Sequence, residues 1–307
     1  MPPAVELSQV TKTFGEVVAV NGLSLTVPEG AVFGFIGPNG SGKTTTIRMI
    51  VNIYYPDSGE LRVFGEPMSP SRTGLIGYLP EERGLYRKMN VRSLLEFFGE
   101  LRGARNASRE VSEWLTRLDL AHCADRKVET LSKGMSQRVQ FIAAVIPSPR
   151  LLILDEPFTG LDPVSADALR DAILHLRRNG ATVILSTHDM SVAETLCDHI
   201  FMIYRGHKVL DGSLASIQDH YGADTIRVSV ADPVALENLP GVELVRNLGQ
   251  VQELRIDRAS DPHELLRLLI DRTRVHSFSV AKPSLHDIFV RIAGPAAADE
   301  ETAVTHA

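Results

Sequence analysis

The segment Gly37-Pro38-Asn39-Gly40-Ser41-Gly42-Lys43-Thr44 restricts the fold of this chain more than any other feature. It follows an apolar run, residues 31–36, which predicts a strand covered on both faces. It precedes residues 44–52, whose pattern predicts a helix. Glycines in such a turn let backbone N–H groups face phosphate oxygens, and the helix N-terminus adds a favourable dipole. The sequence therefore predicts a phosphate-binding loop within an α/β sheet.

The chemistry of this loop predicts a role for two of its side chains. Lys43 is expected to reach the β- and γ-phosphates of a nucleotide, and Thr44 is expected to ligate Mg²⁺. The pattern indicates nucleotide binding without specifying the enzyme. The residues expected to bind the nucleotide here are Gly37, Pro38, Asn39, Gly40, Ser41, Gly42, Lys43, Thr44 and Thr45.

Two carboxylates, Asp155 and Glu156, follow a second apolar run at residues 151–154. Ligands in α/β sheets bind at the C-terminal ends of the strands, so we expect Asp155 to hold Mg²⁺ through water. Adjacent strand residues point to opposite faces, and Glu156 should therefore do a different job. We expect Glu156 to polarise the attacking water as a general base.

Composition narrows the class of protein. The net charge is −6, with 32 basic and 38 acidic residues, so no nucleic-acid partner is expected. The two cysteines argue against a disulfide scaffold and favour a reducing cytoplasm. No apolar stretch approaches the ~18 to 20 residues that span a bilayer, and the first residues lack the pattern of a secretory signal. We therefore expect a cytoplasmic protein that something else holds at any membrane.

The order of strand and helix patterns predicts two domains. Strands and helices alternate over residues 1–220, except that a helical period dominates about residues 84–146. Residues 224–293 follow the order β-α-β-β-α-β of a small ferredoxin-like α+β plait, with its first helix over 233–239. The Ala-rich, acidic tail, 294–307, is expected to be disordered.

The segment Leu131-Ser132-Lys133-Gly134-Met135-Ser136-Gln137-Arg138 resembles the signature motif of the ATP-binding-cassette (ABC) ATPases. Ser132 is predicted to cap the helix that follows. The resemblance implies an ABC cassette of the P-loop NTPase fold, with a mixed sheet core and an inserted helical subdomain. It also implies that Ser132 and Gly134 meet the γ-phosphate of ATP bound by a second subunit, either another copy or a paralogous ATPase. Lys133 and Met135 stand where the family has glycine and glutamine.

Three shorter segments add to the resemblance. Thr159-Gly160-Leu161-Asp162 is similar to the family's D-loop, which implies that Asp162 lies at the shared ATP site across the dimer interface. Ser186-Thr187-His188-Asp189 is similar to the switch-histidine segment, which implies that His188 contacts the γ-phosphate and holds Glu156 and the water in register. Phe14 occupies the position of the aromatic residue that stacks on adenine.

Glu81 stands where the family normally has a glutamine. A carboxylate can meet Mg²⁺ or water but cannot donate a hydrogen bond, so we expect Glu81 to join Thr44 and Asp155 at the metal. The segment that contains Glu81 and the Lys133-Gly134-Met135 segment resemble those of a branch of ABC exporters related to sodium-extrusion and drug-resistance pumps. Residues 283–289 resemble the end of the extra C-terminal domain of that branch.

The resemblance implies the ATP-hydrolysing subunit of an exporter, which uses ATP and Mg²⁺. It would sit peripherally on the inner face of the cell membrane, beneath an integral membrane permease that residues 83–89 and the following helices contact. One alternative is a soluble ABC ATPase that acts on ribosomes or nucleic acid, although such proteins usually carry two cassettes or a long coiled coil. Another is an unrelated phosphate-loop kinase, in which Ser132, Asp162 and His188 would have no role.

Overall fold

The computed structural model describes residues 2–82, 84–222, 225–232, 236, 238–247, 249–257 and 260–294. The chain divides into two compact units, Met1–Ser213 and Leu214–Ala307. Apart from Gly294, the predicted disordered tail lies outside the described residues. The helix predicted over 233–239 lies largely outside them as well.

The first unit contains alternating strands and helices. Its described strands are β1 (Val5–Phe14), β2 (Val17–Val27), β3 (Val32–Ile36), β4 (Ser58–Val63), β5 (Glu66–Pro67), β6 (Ile76–Leu79), β7 (Leu151–Asp155), β8 (Thr182–Thr187), β9 (His199–Tyr204) and β10 (His207–Gly212). Its described α-helices are α1 (Lys43–Ile50), α2 (Val91–Leu101), α3 (Ala107–Arg117), α4 (Lys133–Val145), α5 (Pro163–Arg178) and α6 (Met190–Leu196).

The first unit contains two sheets, one of which is the mixed sheet that the resemblance implied. A four-stranded antiparallel sheet has the order β2-β1-β4-β5. A six-stranded mixed sheet has the order β10-β9-β3-β8-β7-β6, in which β9 to β6 pair in parallel and β10 is antiparallel. The central strands β3, β7 and β8 are buried along their whole length, because other layers cover both faces of the sheet.

The alternation of side chains along β7 divides its residues between two cores. Leu151 and Ile153 pack in the core that includes β1, β2 and α1. Leu152 and Leu154 pack in the core that includes α2, α3 and α4. The C-terminal end of this fully covered strand therefore delivers Asp155 to an edge of the sheet between two packed layers.

Helices α2, α3 and α4 lie between β6 and β7 in the chain. Their apolar faces share one core, including Leu94, Val111 and Val139, each 0% exposed. Ser132 caps α4 as predicted, because its Oγ accepts a hydrogen bond of 3.2 Å from the Met135 N–H.

The second unit is an antiparallel sheet with helices. Its described elements are α7 (Leu214–Tyr221), β11 (Thr225–Val230), β12 (Val242–Asn247), β13 (Gln252–Ile256), α8 (Pro262–Arg272), β14 (Val275–Ala281) and α9 (Leu285–Ala293). The sheet order is β12-β13-β11-β14, and all described pairs are antiparallel. This order places the first and third strands of the unit at the centre, as the predicted ferredoxin-like plait requires. Leu265 and Leu269 of α8 pack on one face of this sheet.

No helix among the described residues is long and apolar enough to cross a membrane.

Candidate functional site

The loop between β3 and α1 folds around the amine of Lys43. Lys43 Nζ donates hydrogen bonds of 2.6 Å to the Gly37 carbonyl and 3.1 Å to the Pro38 carbonyl. The side chain is 6% exposed. Burial lowers the pKa of Lys43, while the nearby carboxylates of Glu156 and Asp155 oppose that shift. The loop thus holds a cation beside the carboxylates at the end of β7.

At two positions this loop lies so close to neighbouring backbone that only glycine fits. Gly37 has φ +155° and Gly42 has φ +108°, both in the left-handed region. A Cβ atom on Gly42 would lie 2.5 Å from the Ala19 carbonyl oxygen, and one on Gly37 would overlap the Ile203 carbonyl oxygen. Gly42 is also the N-cap of α1 and offers no side-chain acceptor there. The first N–H groups of α1 are therefore available to an anion.

Asp155 is a buried carboxylate with unsatisfied oxygens. It is 1% exposed, and neither of its carboxylate oxygens has a hydrogen-bond partner in the described part of the chain. Burial raises the pKa of Asp155 above its usual range, although the nearby Ser186 hydroxyl opposes that shift. A buried unpaired carboxylate costs free energy unless a cation meets it. The oxygen donors at this position suit a hard divalent cation such as Mg²⁺.

Glu156 lies in a network with the segment that ends β8. Its carboxylate Oε1 lies 2.8 Å from His188 Nδ1 and accepts a hydrogen bond of 2.9 Å from the His188 backbone N–H. Thr187 Oγ1 donates to Oε2 at 3.3 Å. The backbone of Glu156 has φ +49°, and its N–H donates to the Ser186 carbonyl at 3.0 Å. A non-glycine residue in this conformation is strained, and the neighbouring strand holds it in place.

The contact with Glu156 also favours the protonated form of His188. The hydrogen bond to Glu156 raises the pKa of His188 above its usual value, although burial opposes the shift. Glu156 is 7% exposed, whereas 46% of the His188 side chain is exposed. The imidazole therefore faces solvent on one side and orients a buried carboxylate on the other.

Most of the predicted nucleotide and metal residues line one cleft. Its volume is about 450 Å³. Val17, Val18 and Ala19 form its apolar wall. Gly37 and Pro38 are not in the lining, but they hold Lys43 in it. The predicted residues that line the cleft are Asn39, Gly40, Ser41, Gly42, Lys43, Thr44, Thr45, Glu81, Asp155 and Glu156.

Three other predicted residues form a separate group. Ser132 caps α4, and a Cβ atom on Gly134 would lie 3.7 Å from Asp162 Oδ2. Asp162 caps α5 by accepting hydrogen bonds from the Ser165 N–H at 3.0 Å and Ser165 Oγ at 2.6 Å. These bonds lower the pKa of Asp162. None of the three residues lines the cleft that holds Lys43.

Phe14 lies outside the cleft lining, at the end of β1. Its ring is 43% exposed and stacks edge-to-face on Tyr54, with centroids 5.3 Å apart. Val17 and Val18, which follow it in the hairpin, are exposed and do line the cleft. A base that entered the cleft along this wall would meet the valines as well as the predicted aromatic residue.

Sequence reasoning missed several residues of the site. Arg205 lines the cleft from the turn between β9 and β10, where the sequence indicated only a hairpin. Thr187 holds Glu156, and Gln137 Nε2 donates to the Pro157 carbonyl at 3.3 Å. No local pattern signals these contacts, because each one depends on which strands or helices become neighbours.

Comparison with known proteins identifies both parts of the chain. The family described as ABC transporter matches residues 20–159, and the family described as ATP-binding protein DrrA1-3-like, C-terminal domain, matches residues 212–293. The ABC transporter ATP-binding protein YhaQ of Bacillus subtilis is 38% identical, over 94% of this chain and 98% of that protein. The Nod factor export ATP-binding protein I of Rhizobium sp. is 36% identical, over 95% of this chain and 97% of that protein.

Solved structures agree with these relatives. A structure described as the ATP binding subunit of an ABC transporter has 28% identity and a TM-score of 0.67, covering 71% of this chain and 93% of that one. The ADP conformation of an ATP-binding cassette from another ABC transporter has 26% identity and a TM-score of 0.60, covering 69% and 92%. With the phosphate loop, the paired carboxylates and the capped signature helix in place, the chain belongs to the ABC transporter ATP-binding proteins and is a nucleotide-binding ATPase subunit.

Proposed function

We propose that the cleft binds ATP together with Mg²⁺. The loop amides and Lys43 would hold the phosphates, and Phe14 with the valine wall would contact the adenine. Thr44, Asp155 and Glu81 would hold the metal, a role supported by the buried, unpaired oxygens of Asp155. When bound, Mg²⁺ would neutralise charge on the β- and γ-phosphate oxygens.

We further propose that Glu156 is the general base. Water attacks the γ-phosphorus, the bond from that phosphorus to the ADP oxygen breaks, and the proton of the water passes to the Glu156 carboxylate. His188 and Thr187 hold that carboxylate, because three hydrogen bonds reach it from the end of β8. The ammonium of Lys43 stabilises the negative charge that develops on the phosphoryl oxygens.

The protein is proposed to work as a dimer with shared ATP sites. Ser132, Gly134 and Asp162 lie together but outside the cleft of their own copy. A second copy, or a paralogous ATPase, would bring this group to the γ-phosphate. Hydrolysis would remove the phosphate that joins Lys43 on one side to Ser132 on the other, and the dimer would open.

The partner in the membrane is proposed to be a separate integral permease. An exposed aromatic cluster lies at the start of the helical region, where Tyr86 is 56% exposed and Phe97 of α2 is 42% exposed. Their ring centroids are 6.2 Å apart, and Phe98 stacks on Tyr86 at 6.0 Å. Exposed aromatic rings are typical of contact surfaces. The ATPase would then be cytoplasmic and peripheral on the inner face of the cell membrane.

Export is the proposed direction of transport. One relative is named as a Nod factor export protein, and the C-terminal family is named after DrrA-like ATP-binding proteins. We propose an ATP-binding domain, with a helical subdomain at about 84–146, and an accessory domain. The sequence predicted these domains over 1–220 and 224–293, whereas the two compact units meet at Ser213 and Leu214. The relatives are named as transporter proteins, so the alternative of a ribosome or nucleic-acid ATPase is not favoured.

The observation that carries this proposal is the Glu156–His188 contact beside the buried Asp155. The test is a pull-down of tagged Glu156→Gln from detergent-solubilised host membranes with ATP and Mg²⁺. We expect a polytopic membrane protein to co-purify in near-equal amount. Recovery of only ribosomes, DNA or soluble proteins would overturn the transporter proposal. The same pull-down with Lys43→Ala is the control, because that variant should not close on ATP.

A further inference from the structure

The loop that carries Glu81 is attached to the signature helix by one buried side chain. Gln140 lies in α4 and is 6% exposed. Its Nε2 donates to the Glu82 carbonyl at 3.1 Å and to the Pro80 carbonyl at 3.4 Å. These two carbonyls belong to the residues before and after Glu81. The amide of Gln140 therefore binds the backbone on both sides of Glu81.

The oxygen of the same amide adds no hydrogen bond to these two within the described part of the chain. Gln140 Oε1 is buried and has no hydrogen-bond partner among the residues that the structure describes. Leaving a buried acceptor unpaired costs free energy, which offsets part of what the two donated bonds contribute to stability. The amide therefore gives the Glu81 loop a specific position through its two donated bonds, whereas its oxygen has no partner in the described ranges.

Helix α4 connects this attachment to the segment proposed to face a second subunit. Gln140 follows the N-cap Ser132 by eight residues, which is about 12 Å along the helix axis. One turn before Gln140, Gln137 reaches the Pro157 carbonyl next to Glu156. A displacement of the N-terminus of α4 would therefore move the backbone next to Glu81 and the backbone next to Glu156. The buried amides of Gln140 and Gln137 connect the helix to these two loops.

We propose that Gln140 is a positioning residue, which fixes Glu81 relative to α4 and makes it follow the movement of the helix that begins at Ser132. The inference rests on the proposed metal role of Glu81. Gln140 touches neither ATP nor metal and acts only through the backbone of residues 80–82. The backbone on both sides of Glu81 is thus held by a glutamine amide from the signature helix.

The first test uses Gln140→Met, which keeps the length of the side chain but removes both donors. Amide hydrogen exchange of the nucleotide-free protein should rise about tenfold in peptides covering residues 76–82, since two hydrogen bonds to that loop are lost. The thermal midpoint should fall by only a few degrees, because loss of the two donated bonds is partly offset by loss of the unpaired acceptor. A merely structural role predicts a lower midpoint without a rise in exchange confined to this loop. The matched control is Gln218→Met, which removes a 3.1 Å bond from a glutamine amide to the Pro283 carbonyl in the second unit.

The second test is a double-mutant cycle with Glu81→Ala, read as the Mg²⁺ concentration that gives half-maximal ATP hydrolysis. Gln140→Met should raise this concentration about five- to tenfold alone and less than about twofold in the Glu81→Ala background. Equal effects in both backgrounds, or unchanged exchange in residues 76–82, would overturn the inference. If Glu81→Ala shifts the magnesium dependence and Gln140→Met does not, the metal role stands and the inference is wrong. If Glu81→Ala shifts nothing, the metal role itself is wrong, and the inference that rests on it fails too.

Discussion

The imidazole of His188 lies against the carboxylate of Glu156, with Nδ1 2.8 Å from Oε1. The two residues are 32 positions apart in the chain, and they meet because β7 and β8 pair in parallel with Asp155 opposite Ser186. The strained backbone of Glu156 then turns its side chain toward the end of β8. This contact orients the proposed base.

Loss of the imidazole should therefore slow the chemical step. We expect His188→Ala to lower the kcat of ATP hydrolysis on the order of 100-fold, since a misplaced carboxylate cannot take the proton of the attacking water. The affinity for ATP should change little, because Lys43 and the loop remain. Steady-state kinetics with a fluorescent-ATP titration separates the two effects. His122→Ala, at an exposed histidine of the same unit, serves as the control. A kcat within about twofold of wild type would contradict the positioning role.

The same contact makes stability depend on pH. The pKa of His188 is raised in the folded protein, chiefly by its hydrogen bond to Glu156. The contact therefore stabilises the fold fully at pH values below 6.5, the pKa of an unperturbed histidine. This stabilisation is lost as the pH rises through the higher pKa of the folded protein. The thermal midpoint of wild type minus that of His188→Ala should thus shrink from about pH 6 to about pH 9. If the difference between the two thermal midpoints grew over this pH range, the result would contradict a stabilising contact between His188 and Glu156.

Asp155 should show a trade-off between stability and function. It is buried without hydrogen-bond partners among the described residues, and burial raises its pKa, so its charge is a cost in the nucleotide-free protein. Asp155→Asn should unfold at a higher temperature than wild type without nucleotide, by on the order of 1 kcal/mol in stability. Its further stabilisation by ATP with Mg²⁺ should be lost. Thermal unfolding with and without Mg²⁺ measures both effects, and Asp125→Asn, at an exposed site, is the control. A variant that Mg²⁺ still stabilises with ATP would remove Asp155 from the proposed metal site.

Two glycines of the phosphate loop offer a matched pair. Both Gly40 and Gly42 have positive φ, but an added Cβ meets nothing within 4 Å at Gly40 and lies 2.5 Å from the Ala19 carbonyl oxygen at Gly42. Gly40→Ala should cost only the backbone strain of about 1 kcal/mol, whereas Gly42→Ala should cost at least about 2 kcal/mol more. Urea unfolding without nucleotide compares them directly. Equal losses would mean that the approach of the β2 backbone does not constrain the loop.

Local sequence patterns predicted the elements of the first unit well, but not their arrangement. The apolar runs before Lys43 and Asp155 predicted buried strands, and β3 and β7 are buried at every position. The sheet order β10-β9-β3-β8-β7-β6 could not be predicted from periodicity, because strand pairing depends on residues far apart in the chain. In the second unit, the order of elements predicted the sheet order of a plait, since few sheet orders suit that succession of elements. The first helix of the predicted plait lies largely outside the described residues.

The candidate site shows the same limit. Gly37 to Thr45 were predicted from a contiguous motif, and Asp155 with Glu156 from their place at a strand end. His188 and Ser132 were predicted through a family resemblance, and the residues themselves gave no independent signal. Gln140 carries no signal at all, because its partners become visible only when β6 and α4 are neighbours. Arg205 was missed for the same reason, since a hairpin turn does not indicate which cleft it faces.

The most direct test of the account is the mass of Glu156→Gln in solution with ATP and Mg²⁺, measured by sedimentation. The account predicts that this variant binds ATP, fails to hydrolyse it and doubles its mass, whereas with ADP it stays a monomer. Adding Ser132→Arg to the same chain should prevent the doubling, because Ser132 would meet the ATP of the other copy. A Glu156→Gln protein that hydrolyses ATP at the wild-type rate, or remains a monomer with ATP bound, would contradict both the proposed base and the shared site.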